Sequence, residues 1–159
     1  EPRRRRVSMR NDSFHQEVSM ATTRRAEAQW RGSLMQGSGQ VTLTSSGIGT
    51  YPVSWPARSE EANGVTSPEE LIAAAHSTCY SMALSHALAG AGTPAALLET
   101  SAEVDFQPGV GITEIRLFVR GTVPGLDAAG FAEKAHAAKE GCPVSKALAA
   151  VPITLTILD

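Results

Sequence analysis

With 159 residues, 42% of them apolar, the chain has the length of one domain and the composition of an ordinary globule with a real core. Its formal charge of -2 is uneven, because the first twenty residues hold five arginines but only three of the 16 acidic residues. The remaining body is mildly acidic, which leaves no electrostatic footprint for nucleic acid and makes the arginine run a solvated tail rather than a binding arm.

Residues 1–21 are polar and aperiodic and read as a flexible extension ahead of a domain over 22–159. No apolar stretch follows the arginines, so no secretory signal is expected, and the cytoplasm, a reducing compartment, is the expected setting for the cysteines. Ala26, Ala28 and Trp30 alternate with polar residues, as do Val41 and Leu43, which predicts two strands joined at a Gly37-Ser38-Gly39 turn. Residues 51–55 predict a short edge strand limited by Pro52 and Pro56, and residues 58–66 a polar loop. Thr66-Ser67-Pro68-Glu69-Glu70 then combines a capping box with a proline in the first turn, so a long helix starts here and stops within residues 90–94.

Residues 71–98 contain no Lys, Arg, Asp or Glu, yet His76, Ser77, Thr78, Ser81, Ser85 and His86 make the stretch too polar for a membrane span. Ile72, Ala75, Cys79, Met82 and His86 share one helical stripe, while Leu71, Ala74, Leu84 and Leu88 supply further apolar faces. A helix apolar nearly all round needs cover nearly all round, which in a chain this small predicts a homodimer pairing two central helices. Ala102, Val104 and Phe106, then Ile115, Leu117 and Val119, alternate as two half-buried strands. Asp127 caps a helix that runs to about Lys139 and stops at Gly141, Cys142-Pro143 opens a short one, and Ile153, Leu155 and Ile157 mark a last strand. Strands and helices do not alternate along the chain, so the predicted class is α+β with a largely antiparallel sheet.

Cys79 and Cys142, the only cysteines, are too far apart for a CxxC motif or a metal knuckle, so joint chemistry requires the fold to bring them together. A free thiol with a pKa near ~8.5 is only a few per cent ionised at neutral pH and needs positive charge nearby to react. Cys79 lies twelve residues beyond Ser67, roughly 18 Å along the axis and outside the reach of the helix dipole, so a side chain must supply that charge. The candidates are Arg24, Arg25, Arg31, His76 and Arg58. Arg58 is preferred because a guanidinium stays charged when desolvated and can bridge a thiolate to a carboxylate, although spacing alone reads it as a solvated loop residue. Cys142 faces free N–H groups at a helix start and is itself a candidate attacker on local electrostatics. Each cysteine taken alone also reads as a small buried hydrophobe.

Two other chemistries start from the same residues. His76, His86 and His136 offer zinc only one compact pair, His76 with Cys79. A Cys–His acyl-transfer site on Cys79 or Cys142 lacks an evident third, orienting group. Glu69 and Cys79 sit ten residues apart on one predicted helix, about 15 Å along its axis, so they share a site only if Glu69 comes from a partner subunit.

The run Ser67-Pro68-Glu69-Glu70-Leu71-Ile72-Ala73-Ala74-Ala75-His76-Ser77-Thr78-Cys79-Tyr80-Ser81-Met82-Ala83-Leu84, with Gly141-Cys142-Pro143-Val144-Ser145 and the Val123-Pro124-Gly125-Leu126-Asp127 turn, closely resembles one family. This is the family of osmotically inducible protein C and the organic hydroperoxide reductases, and the likeness is closer to the first subgroup. It extends from Arg25-Ala26-Glu27-Ala28-Gln29-Trp30 to the last strand. The resemblance implies antiparallel sheets wrapped around a long central helix in an intertwined homodimer. It further implies a peroxidase that reduces organic hydroperoxides, and hydrogen peroxide more weakly, in oxidative and osmotic stress defence, with no cofactor or metal. By the same resemblance Cys79 attacks the peroxide and becomes a sulfenic acid, Cys142 closes a disulfide with it, and a lipoyl-type or other dithiol reopens that bond. Arg58 matches the family's loop arginine and Glu69 its acidic helper, with Leu71, Ile72 and Met82 as candidate lining for an apolar substrate. No nucleic acid or membrane partner is expected. The reading from a different class is a non-catalytic redox-sensing or stress-response dimer in which the disulfide switches a surface.

Overall fold

The computed structural model describes residues 20–159, so the extension expected over 1–21 lies outside the described residues except for its last two positions. Strands β1 (Glu27–Arg31), β2 (Ser38–Thr42) and β3 (Thr50–Val53) form an antiparallel sheet in that order. The β1–β2 turn comes earlier than the glycines suggest, across Gly32 to Gly37, and Ser38 and Gly39 are strand residues. Gly39 is there for a close approach: it pairs with Trp30, and a Cβ on it would strike the Trp30 ring and the Gln29 carbonyl.

A short helix, α1 (Trp55–Ser59), replaces the end of the predicted edge strand and the start of the predicted loop. Ser54 caps it by accepting from the Ala57 N–H, and Pro56 occupies its first turn. The Ser-x-Pro start signal thus outweighs the strand propensity of Trp55, and Arg58 becomes a helical residue with a defined direction. Helix α2 (Pro68–Gly90) begins as expected, with the Ser67 hydroxyl accepting from the Glu70 N–H and Thr66 Oγ1 donating to Glu70 Oε1 at 2.7 Å. It ends where Gly92 takes φ 81°, so that the Gly92 and Thr93 N–H groups reach back to the Ala89 and Leu88 carbonyls.

The second sheet holds β4 (Leu97–Gln107), β5 (Gly111–Thr122) and β6 (Ile153–Ile157). β4 and β5 are an antiparallel hairpin, but β6 joins β5 in parallel, because α3 (Ala128–Gly141) and α4 (Pro143–Ala147) carry the chain back across the sheet first. The architecture is a mixed α+β fold with antiparallel sheets and one parallel pairing.

The core lies between α2, α3 and the second sheet. His76, Tyr80, Leu84 and Leu88, spaced four residues apart on α2, are fully buried with Ile115, Leu117 and Val119 of β5 and Ala135 of α3. This row replaces the expected stripe. Ile72 and Cys79 are only half-buried, while Ala75, Met82 and His86 are exposed, Met82 at 67%. A helix apolar on every face carries no moment to point its own way, so the adjoining sheet chooses which row is buried. The uncharged face around Ala75, Met82 and His86 remains open in the single chain, as does β1 along its whole length.

Candidate active site

The fold brings Cys79 and Cys142 together. Cys79, half-buried on α2, packs against the cluster that contains the fully buried Cys142, and the two thiols are free rather than bridged. Their positions follow from the turn at Gly141, where α3 ends and α4 begins with Cys142 as its first flanking residue. Cys142 forms no capping hydrogen bond, yet the first-turn amides of α4 lower its thiol.

Burial by itself raises the Cys142 thiol. The Ser145 N–H, the Cys79 thiol, the Ser145 hydroxyl and the Val144 N–H together outweigh burial and hold it below the ordinary thiol range. Cys79 moves the other way: burial pushes it up, the Val144 N–H draws it down, and the adjacent Cys142 sulfur raises it again. No cation acts on Cys79 among the described residues. Within one chain, therefore, Cys142 is the better thiolate and Cys79 the more accessible sulfur.

The other two candidates form a second constellation. Arg58 donates from Nε and Nη2 to Glu69 Oε1 at 3.0 and 2.9 Å and from Nε to Oε2 at 3.3 Å, a fork-on-carboxylate contact that fixes the guanidinium plane. Glu69 is buried at the start of α2, while a third of the Arg58 side chain stays exposed. Phe106 of β4 lies under the guanidinium, with its ring centroid 4.1 Å from Cζ, and Trp55 meets Phe106 edge-on. On one side Arg58 borders an apolar cleft of about 390 Å³ lined by Trp30, Val41, Val53, Trp55 and Leu71. Of the three apolar residues singled out in the sequence, Leu71 lines this cleft; Ile72 and Met82 do not.

Each pair is internally complete, but the two are separate within one chain. Glu69 and Cys79 belong to one uninterrupted helix, which spaces them about 15 Å apart along its axis. Arg24, Arg25 and Arg31 are exposed, and the shift of Cys79 comes from burial, the Val144 N–H and Cys142. His86 and His136 are exposed, and among the described residues no three His, Cys, Asp or Glu side chains converge as a metal site. No helix there is long and apolar enough to cross a membrane. Sequence reasoning missed Phe106, whose strand alternation marked it only as core, and Ser145, whose one-turn spacing from Cys142 was the available signal.

Residues 61–156 match the family described as OsmC-like protein. Over 134 residues the chain is 40% identical to Peroxiredoxin OsmC of Escherichia coli, an alignment covering 82% of this chain and 93% of that protein; Peroxiredoxin OsmC of Shigella flexneri matches equally. Among solved structures, the organic hydroperoxide resistance protein OhrB of Bacillus subtilis superposes with a TM-score of 0.66 at 25% identity, covering 84% of this chain and 98% of that one. An OsmC-like protein from Vibrio cholerae shares the fold alone, with a TM-score of 0.67 at 15% identity over 87% of this chain and all of that one. A family model matched over more than half of the chain and a relative 40% identical over 82% of it show the family: the chain belongs to the OsmC-like protein family.

Proposed function

We propose that this protein is a thiol peroxidase that reduces organic hydroperoxides, and hydrogen peroxide more weakly, in a reducing compartment such as the cytoplasm. The observation that carries the reading is the meeting of two unbridged thiols, remote in sequence, in one packed cluster. The names of its relatives, a peroxiredoxin and an organic hydroperoxide resistance protein, are consistent with it.

In the first step the Cys79 thiolate attacks the distal peroxide oxygen; an S–O bond forms, the O–O bond breaks, and the departing alkoxide takes a proton to become the alcohol. Cys142 then attacks the sulfenic sulfur, closing the disulfide and releasing water. A lipoyl-type or other dithiol reopens the bond. Cys79 is assigned the attack because it is the accessible sulfur, whereas Cys142 is sealed. Its raised thiol then needs a cation, which the partner subunit's Arg58 supplies in a homodimer, held in plane by Glu69. Assembly through the open, uncharged face of α2 and the exposed first sheet covers apolar surface that one chain leaves wet, including Trp30 and Met82.

Peroxide consumption by the wild type, Cys79→Ser and Cys142→Ser with excess dithiol tests this. The wild type turns over, Cys79→Ser is inert, and Cys142→Ser consumes about one peroxide per subunit and stalls. A wild type that also stops after one equivalent per subunit is a sensor, not an enzyme. If Cys142→Ser abolishes the first oxidation while Cys79→Ser retains it, the two roles are reversed.

A further inference from the structure

The buried polar group that this cycle leaves unused is His76. Its ring is fully buried one turn before Cys79, with Nε2 2.7 Å from Ser145 Oγ and Nδ1 lacking any partner among the described residues. Ser145, also buried, stands three residues after Cys142 at the start of α4, a spacing that places the two side chains on one face, and its hydroxyl is among the groups that lower the Cys142 thiol. The ring thus holds the hydroxyl of a residue that shares a helix face with the thiol.

Two proton arrangements fit a neutral ring. If Ser145 donates to Nε2, the proton on Nδ1 becomes a buried donor with nowhere to go, and the oxygen turns a lone pair toward sulfur. If Nε2–H donates to Ser145, Nδ1 is left as a bare acceptor, and the hydroxyl proton is free for sulfur. Orphaned buried donors are rarer than under-satisfied acceptors, which favours the second arrangement. Burial holds His76 below its ordinary pKa and so keeps the ring neutral. The other titratable groups here do not compete for the hydroxyl: Tyr80 donates to the Ala135 carbonyl, and the neighbouring Cys79 raises no charge against Cys142 while it remains a thiol.

We propose that His76 is a positioning residue for Cys142: by donating from Nε2 to Ser145 Oγ it aims the Ser145 hydroxyl proton at the Cys142 sulfur. The relay prepares Cys142 as a thiolate for closing the disulfide, and in this it rests on the peroxidase reading above. The Cys142 sulfur forms the S–S bond as the S–O bond of the Cys79 sulfenic acid breaks. Cys142 is oxidised, the sulfenic sulfur is reduced, and the hydroxide leaves as water with the proton that the Cys142 thiol gave up.

Ring-nitrogen NMR of the unaltered reduced protein reads the His76 tautomer. A proton on Nε2 supports the relay; a proton on Nδ1 overturns it, and this measurement needs no variant to fold. In a Cys79→Ser background, thiolate absorbance against pH follows Cys142 alone. Ser145→Ala and His76→Phe are expected to raise its titration midpoint by roughly one to two pH units, the worth of one hydrogen bond to a charged group. His76→Gln, which keeps a donor, stays near the parent. A folded Ser145→Ala with an unmoved midpoint overturns the proposal. Neither measurement uses peroxide, so both decide the relay even if the wild type proves unable to turn over peroxide and the peroxidase reading fails.

Discussion

Two inactive variants should restore each other if the site spans two subunits. Arg58 is held by Glu69 at 2.9 Å, and Glu69 is ten residues from Cys79 on one straight helix, so about 15 Å separates the guanidinium's anchor from the thiol of the same chain. A guanidinium acts on a thiolate at contact distance, roughly 3 to 4 Å, and cannot span that gap while anchored. Cys79→Ser and Arg58→Ala are therefore both expected to be nearly inactive alone. Coexpressed with different tags, they form dimers at random, and half are mixed. In each mixed dimer one site combines an intact Cys79 with an intact Arg58 from the other subunit, and the second site lacks both. The mixture should recover about a quarter of wild-type activity per subunit, and tag-purified mixed dimers about half. The assay is hydroperoxide consumption with excess dithiol. Mixed dimers no more active than either parent would place Arg58 and Cys79 in the same subunit's site and refute the argument.

Further outcomes follow from burial and charge. Met82→Asp alters a side chain that is 67% exposed in one chain, so it should leave the subunit folded while splitting the dimer in sedimentation experiments; unchanged dimers would show that this face is not the interface. Leu84→Ala removes a fully buried side chain and should cost about 2 to 5 kcal/mol in chemical denaturation, whereas a loss under about 1 kcal/mol would contradict the packing. His76 is held below its unfolded value of 6.5, so the unfolded chain binds the extra proton first. The contribution is fully present above pH 6.5 and is lost as pH falls through the depressed native value. His76→Gln should flatten that part of the stability profile, and an equally steep slope in the variant would assign the effect elsewhere.

The long helix was legible because its start signal is local: Ser67, Pro68 and Glu70 cap and orient the first turn whatever surrounds them. The β4–β5 hairpin and the β6 strand were legible for a similar reason, since one face of each is buried or half-buried and alternation records it. Trp55 and Arg58 were misplaced because a short capped helix and an aromatic edge strand compete over the same few residues. Gly39 looked like a turn because only a tertiary neighbour, the Trp30 ring, reveals why it is glycine.

By itself the sequence determined the long helix, the later strands and helices, the mixed α+β class and the identity of the two sulfurs, but not α1 or the place of the β1–β2 turn; what it determined follows from spacing and local capping. Only the tertiary structure decided that α2 buries the His76–Tyr80–Leu84–Leu88 row, that Arg58 grips Glu69 above Phe106, and that Cys142 lies sealed beside Cys79. The physical reason is common to all three. A helix without an amphipathic moment, an arginine with several reachable acids and a cysteine at a helix junction have no local preference strong enough to select a partner, so long-range packing makes the selection.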